Sequence, residues 1–98
     1  MSQWTFLTNH AWVLVCIARE PGTRIRDIAQ CADVTERAAH RIVTELCEAG
    51  YIEKTRIGAR NFYEVHPELP LRRTEDITIG ELLKPLLHKE DPPLDQAA

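Results

Sequence analysis

The run Ala-Trp-Val-Leu-Val-Cys-Ile-Ala at 11–18 most restricts what this chain can fold into. Thr8 and Asn9 before it are helix-capping residues and Glu20-Pro21-Gly22 after it breaks a helix, so a helix over 10–19 is expected. A helix that is apolar all round must be covered on more than one side. The 98 residues give room for one domain. The second cover must therefore come from the C-terminal segment or from another subunit, and the latter points to a homodimer. The run is well short of the ~18–20 residues that a membrane span needs. The opening Met1-Ser2-Gln3-Trp4-Thr5 lacks the basic start and the cleavage site of a secretory signal. A cytoplasmic protein with no membrane partner is expected.

Residues 23–25 read as a short extended segment. A second helix over 26–32 sets Ile28, Ala29 and Ala32 on one face. Asp33-Val34 makes a tight connection, and Thr35 caps a third helix over 36–49 that ends at Gly50. Its apolar residues Ala39, Ile42, Val43 and Leu46 fall at i, i+3, i+4 and i+7, a single stripe. Glu36, Arg37, His40, Arg41 and Thr44 occupy the other side. Alternation then takes over at 51–57 and 61–66, which flank Gly58-Ala59-Arg60 and read as a hairpin. Residues 67–71 are punctuated by proline and extended. Thr78 and Glu81 have capping-box spacing before Leu82, Leu83, Leu86 and Leu87, and Pro85 is expected to kink or shorten that helix. Residues 90–98 read as a solvated, frayed tail. The fold class is mainly α with a small β-hairpin (α+β). The chain divides into 1–67, a segment 68–89 with an extended stretch and a C-terminal helix, and the tail.

Charge matters by position. The formal net charge of −3, taken whole, disfavours a polyanionic partner. Between residues 19 and 64, however, acidic and basic side chains cancel, and the whole excess falls from Glu68 onward. Cys16, Cys31 and Cys47 are odd in number and widely spaced, with no C-x-x-C. They predict no disulfide framework, a reducing compartment and a role as small apolar packing residues. A redox or metal-sensing role, shared with His10, His40, His66 and His88, is the alternative. The spacing matches no zinc pattern, so neither metal nor cofactor is expected. No nucleophile elbow, phosphate-cradling glycine loop or H-E-x-x-H occurs, and the glycines suit turns and caps, so an enzyme is not expected.

The order helix, short strand, helix, tight turn, longer helix, hairpin resembles the winged helix-turn-helix regulators of the MarR/ArsR type. The specific segments are Arg24-Ile-Arg-Asp-Ile-Ala-Gln-Cys-Ala-Asp-Val-Thr-Glu-Arg-Ala-Ala-His-Arg-Ile-Val-Thr-Glu-Leu-Cys-Glu-Ala-Gly-Tyr-Ile-Glu-Lys and Arg56-Ile-Gly-Ala-Arg-Asn-Phe-Tyr. Trp4-Thr-Phe-Leu-Thr-Asn-His and His66-Pro-Glu-Leu-Pro-Leu-Arg are similar to short actinobacterial members, so the resemblance spans about 4–88. It implies a winged helix-turn-helix over 1–67 and a transcriptional regulator that binds double-stranded DNA as a homodimer.

The residues give this reading a physical basis. A helix docked by one apolar stripe can lay a polar face in the major groove, where base pairs differ in their donors and acceptors. On helix 36–49, Arg37 suits guanine O6 and N7, while His40, Arg41 and Thr44 suit base edges or phosphates. Ala38 lets the backbone approach, and Thr35 with the helix N-terminus can donate to phosphate. Arg24 and Arg26 would meet the backbone, and Arg56 and Arg60 on wing 51–66 an adjacent groove or phosphate. Against this, Arg41 suits a pair with Glu45 at i+4, Arg60 can simply be exposed, and Phe62 and Tyr63 suit packing. Glu36 repels phosphate unless it accepts from cytosine N4. Trp12, Val13 and Cys16, with Leu82, Leu83, Leu86 and Leu87, are the candidate dimer interface, which would set two recognition helices roughly 34 Å apart. The competing readings are a winged-helix protein-interaction module and a regulator whose small-molecule effector sits between subunits or at the cysteines.

Overall fold

A computed structural model describes residues 4–87. The Thr8 hydroxyl accepts from the Ala11 N–H at 3.2 Å and starts α1 (Asn9–Arg19). Val13, Leu14, Val15, Cys16 and Ile17 are all buried, five consecutive positions that cover every direction around the axis. The cover comes from the same chain: α2 (Ile25–Ala32), α3 (Glu36–Glu48), β2 (Arg60–Val65) and α4 (Ile79–Leu87) all pack on α1. This corrects the sequence expectation of an interface there. Val13, Cys16 and Leu83 are 0%, 3% and 3% exposed inside a single chain and offer nothing to a second subunit.

The α2–α3 connection closes as its residue types require. Asp33 takes a left-handed φ of 61°, Val34 N–H donates to the Ala29 carbonyl, and the Thr35 hydroxyl accepts from Ala38 N–H at 3.0 Å. Residues 23–25 form no strand. Arg24 is the extended N-cap of α2, and Ile25 already belongs to the helix, because its side chain packs against the core.

The wing pairs β1 (Ile52–Ile57) with β2 in antiparallel register, Ile52 facing Val65 and Ile57 facing Arg60. Its turn is the two residues Gly58-Ala59 rather than three. Gly58 has φ 64°, so the first turn position favours glycine, and Arg60 is drawn into the ladder. A second small hairpin, β3 (Pro70–Leu71) with β4 (Thr74–Thr78), was not expected; its turn contains Arg73 at φ 68° instead of a glycine. The capping box is present: Thr78 N–H donates to Glu81 Oε1 at 2.9 Å, and Glu81 N–H to Thr78 Oγ1 at 3.2 Å. α4 continues two residues past Pro85. Gly80 lies against Pro67, where an added Cβ would come within 3.0 Å of the proline ring. The expected tail over 90–98 lies outside the described residues.

Cys16 and Cys31 form a disulfide, contrary to the expectation of unpaired thiols. Their distance in sequence, 15 residues, is closed by the packing of α1 on α2, which brings the Cα atoms to 6.2 Å, within disulfide reach. Cys47 is free and half-buried.

Ile17, fully buried against this ring of elements, is expected to lose about 3 kcal/mol on Ile17→Ala. Ile77→Ala, at a 40% exposed strand position, should change stability by less than about 1 kcal/mol, both variants being read by urea titration.

Candidate nucleic-acid interface

α3 buries Ala39, Ile42, Val43 and Leu46. Geometry at 3.6 residues per turn then points Arg37, Arg41, Thr44 and Glu48 most directly outward, with His40 on the flank nearest the wing. All five are exposed. Ala38 is half-buried and sits off this outward line, so it is not the point of close approach expected of it. Glu36 is exposed in the first turn, where its charge suits the helix dipole.

The wing uses its two faces differently. Alternation puts Lys54 and Arg56 of β1 on one side with Asn61 and Tyr63 of β2, since Lys54 opposes Tyr63 and Arg56 opposes Asn61. A cavity of about 420 Å³ lies between this side and α3, and His40, Thr44, Cys47, Lys54, Asn61 and Tyr63 are on its walls. A second, of about 200 Å³, joins Arg24 to the wing tip at Ala59–Asn61. The two share Ile25, Asn61 and Tyr63, so the start of α2, the flank of α3 and one wing face border one concave surface. Burial pushes the Cys47 thiol and the Tyr63 phenol up; the nearby Lys54 ammonium opposes the first shift.

Lys54 is the residue that the sequence reading missed. Its signal was the period of two: Lys54 and Arg56 must share a face, and only Arg56 was singled out. Arg60 departs the other way. Its guanidinium lies 5.7 Å over the Phe62 ring and donates to the Gly22 carbonyl, so it faces the α1–α2 loop rather than outward from the tip. Arg26 is exposed at the start of α2 and Thr35 is occupied as a cap.

Arg41 adopts the paired arrangement. Its Nη1 is 3.6 Å from Glu45 Oε2, while His10 Nε2 of α1 donates to Glu45 Oε1 at 2.6 Å. The hydrogen bond from His10 is the main reason that the Glu45 carboxyl lies below the ordinary carboxylate range; partial desolvation opposes it, and the charge of Arg41 adds to the lowering. Glu36, Glu45 and Glu48 outnumber Arg37 and Arg41 on α3. Positive charge on the walls of the two cavities therefore comes from Arg24, Lys54 and Arg60, with Arg56 on the Lys54 side of the wing and Arg26 exposed on α2.

A helix pair joined by a left-handed residue, followed by a two-stranded hairpin beside the second helix, defines a winged helix-turn-helix protein. The model of the MarR family matches residues 5–59, more than half of the chain, and the protein belongs to that family of DNA-binding transcription regulators, which are not enzymes. Among solved structures it is similar in fold to the PcaV transcriptional regulator from Streptomyces coelicolor, solved in complex with its natural ligand. That match has 23% identity and a TM-score of 0.54, covering 98% of this chain and 70% of the other. No curated protein matches. No described helix is long and apolar enough to cross a membrane.

A carboxyl whose folded pKa is lowered stabilises the fold above its ordinary pKa and loses that contribution as pH falls through the lowered value. Glu45→Gln should therefore melt below the parent near neutral pH. The gap should close on acidification towards pH 3, as read from thermal unfolding across a pH series.

Proposed function

We propose that the protein reads a specific duplex as a homodimer, with α3 in the major groove and the wing on the adjacent backbone or groove. The observation that carries this reading is the concave surface on which Arg24, His40, Thr44, Lys54 and Asn61 meet. Arg37 and Thr44 are the base-reading residues of α3, with His40 beside them, while Arg24, Arg26, Lys54 and Arg56 neutralise phosphates. Thr35 can still donate its hydroxyl proton to a phosphate while it caps α3. Glu36 accepts from a cytosine amino group. Arg41, paired with Glu45, lies beside them. The reading includes the likeness of the ends of the chain to short actinobacterial regulators.

Dimerisation is carried by surfaces other than the α1 core. Trp4 and Phe6 are 69% and 92% exposed and stack edge to face, with centroids 5.0 Å apart. Leu82 and Leu86 are half-buried on α4, and Leu87 is 37% exposed. Together with the half-buried Trp12, these are the apolar groups left for a second copy. A small apolar effector suits the groove of about 740 Å³ between wing and α4, lined by Ile57, Phe62, Val65, Leu83 and Leu87 over Ile17.

Binding to a duplex selected from a random pool should fall log-linearly with salt. Lys54→Ala should weaken binding to all duplexes alike and reduce the salt slope by about 1, whereas Arg37→Ala should lose discrimination between sequences. Equal loss of discrimination from both substitutions would overturn the assignment of roles. In sedimentation at micromolar concentration the parent should run as a dimer, and Phe6→Ser with Leu86→Ser as a monomer. A monomeric parent would remove the dimer.

A further inference from the structure

Both cysteines of the α1–α2 bridge line a polar cleft of about 520 Å³ whose other walls include Arg19, Asp27 and Leu87. Cys31 is exposed, while Cys16 is 3% exposed and packed in the core. An entering group therefore meets the Cys31 sulfur first, with space beside it for a small molecule. The third cysteine is less suited to this chemistry, since burial pushes its thiol up.

We propose that Cys16–Cys31 is a thiol–disulfide exchange site for low-molecular-weight thiols and disulfides, and that its state sets the affinity for DNA. A small thiolate attacks Cys31 Sγ, the bond to Cys16 breaks, and Cys16 leaves as a thiolate that takes up a proton. A second small thiolate attacks the outer sulfur of the mixed disulfide, releases the small-molecule disulfide and frees Cys31. Two thiols are oxidised and one protein disulfide is reduced; re-oxidation by a small disulfide runs the same steps backwards.

The consequence for DNA follows from where Cys31 sits. It lies in the last turn of α2, two residues before left-handed Asp33 and four before the Thr35 cap of α3. The opposite end of α2 carries Arg24 into the concave surface. The bridge thus pins the helix that carries one phosphate contact and leads directly into the recognition helix. Without it, α2 is held in the core by packing of Ile28, Ala29 and Ala32, with Ile25 half-buried beside them. The oxidised form is preorganised, so the reduced form binds more weakly. This coupling rests on the DNA-binding reading above, whereas the exchange chemistry does not.

The full chain carrying Cys47→Ser is equilibrated in mixtures of reduced and oxidised glutathione, then alkylated and mapped by mass spectrometry. Melting and duplex affinity are read on the same samples. The expected result is a Cys16–Cys31 disulfide that opens with millimolar reduced glutathione. On opening, Tm should fall by about 10 °C or more, and affinity for the selected duplex roughly fivefold or more. Because coupling is reciprocal, saturating duplex should shift the glutathione ratio at half-reduction by the same factor. Adding Cys16→Ser and Cys31→Ser should give the reduced-form affinity in every mixture. A bond that never forms, or that resists glutathione in the folded protein, overturns the exchange site. Equal affinity of the two forms, with no shift by duplex, overturns the coupling alone. Absence of duplex binding in both forms overturns the coupling together with the DNA-binding reading.

Discussion

Burial of α1 determines where everything else can be. Its five consecutive buried residues, Val13 to Ile17, demand cover from several sides. α2, α3, β2 and α4 each meet an apolar need by packing on it. A chain of 98 residues has little core to spare. The recognition helix and the wing therefore hang on the same axle, and the position of one constrains the other. The concave surface between them is a property of the core as much as of the residues that line it. The wing also reaches the loop ahead of α2, where Tyr63 N–H donates to the Pro21 carbonyl and Arg60 to that of Gly22.

The charges on this surface are divided by position. α3 carries three glutamates and two arginines, one of which is already held by Glu45. Such a helix contributes little to the non-specific attraction of a polyanion, while its short and polar outward groups can still distinguish bases. In the proposed complex Arg24, Arg26, Lys54 and Arg56 on the flanking elements supply the attraction. The overall acidity of the chain is no obstacle, because the excess lies from Glu68 onward and is screened over roughly 10 Å at 0.1 M salt. The acidic balance that kept a protein-interaction module open as a competing reading is thus compatible with the family to which the chain belongs.

Much of the fold was legible because it is locally encoded. Thr8, Thr35 and the Thr78–Glu81 pair cap the helices they precede, and the stripe Ala39, Ile42, Val43, Leu46 is the buried face of α3. What failed depended on tertiary contacts. Ile25 joins α2 because the core takes its side chain, although the residues around it look extended. The ladder takes in Arg60 because two turn residues suffice when Gly58 supplies the positive φ. The β3–β4 hairpin turns at Arg73, which gives no glycine or asparagine signal. Of the candidate site, Arg24, His40, Thr44 and Arg56 were legible by helix face or basic charge. The inward turn of Arg60 was not, since the carbonyl and ring that hold it are distant in sequence or invisible without the register. The disulfide was illegible for the same reason: cysteine spacing says nothing until α1 and α2 are known to touch.

The end of α4 joins features that look separate along the chain. Leu87 forms part of the wall of the apolar groove under the wing and part of the wall of the cleft at the disulfide. Arg19 fixes this end of the helix by donating to the Leu86 carbonyl at 3.0 Å, and the same side chain borders the disulfide cleft. Pro85 removes a backbone donor in the final turn of the helix, so that turn is held more by its contacts than by its own ladder. A molecule wedged between wing and α4 would bear on the same turn that borders the disulfide cleft.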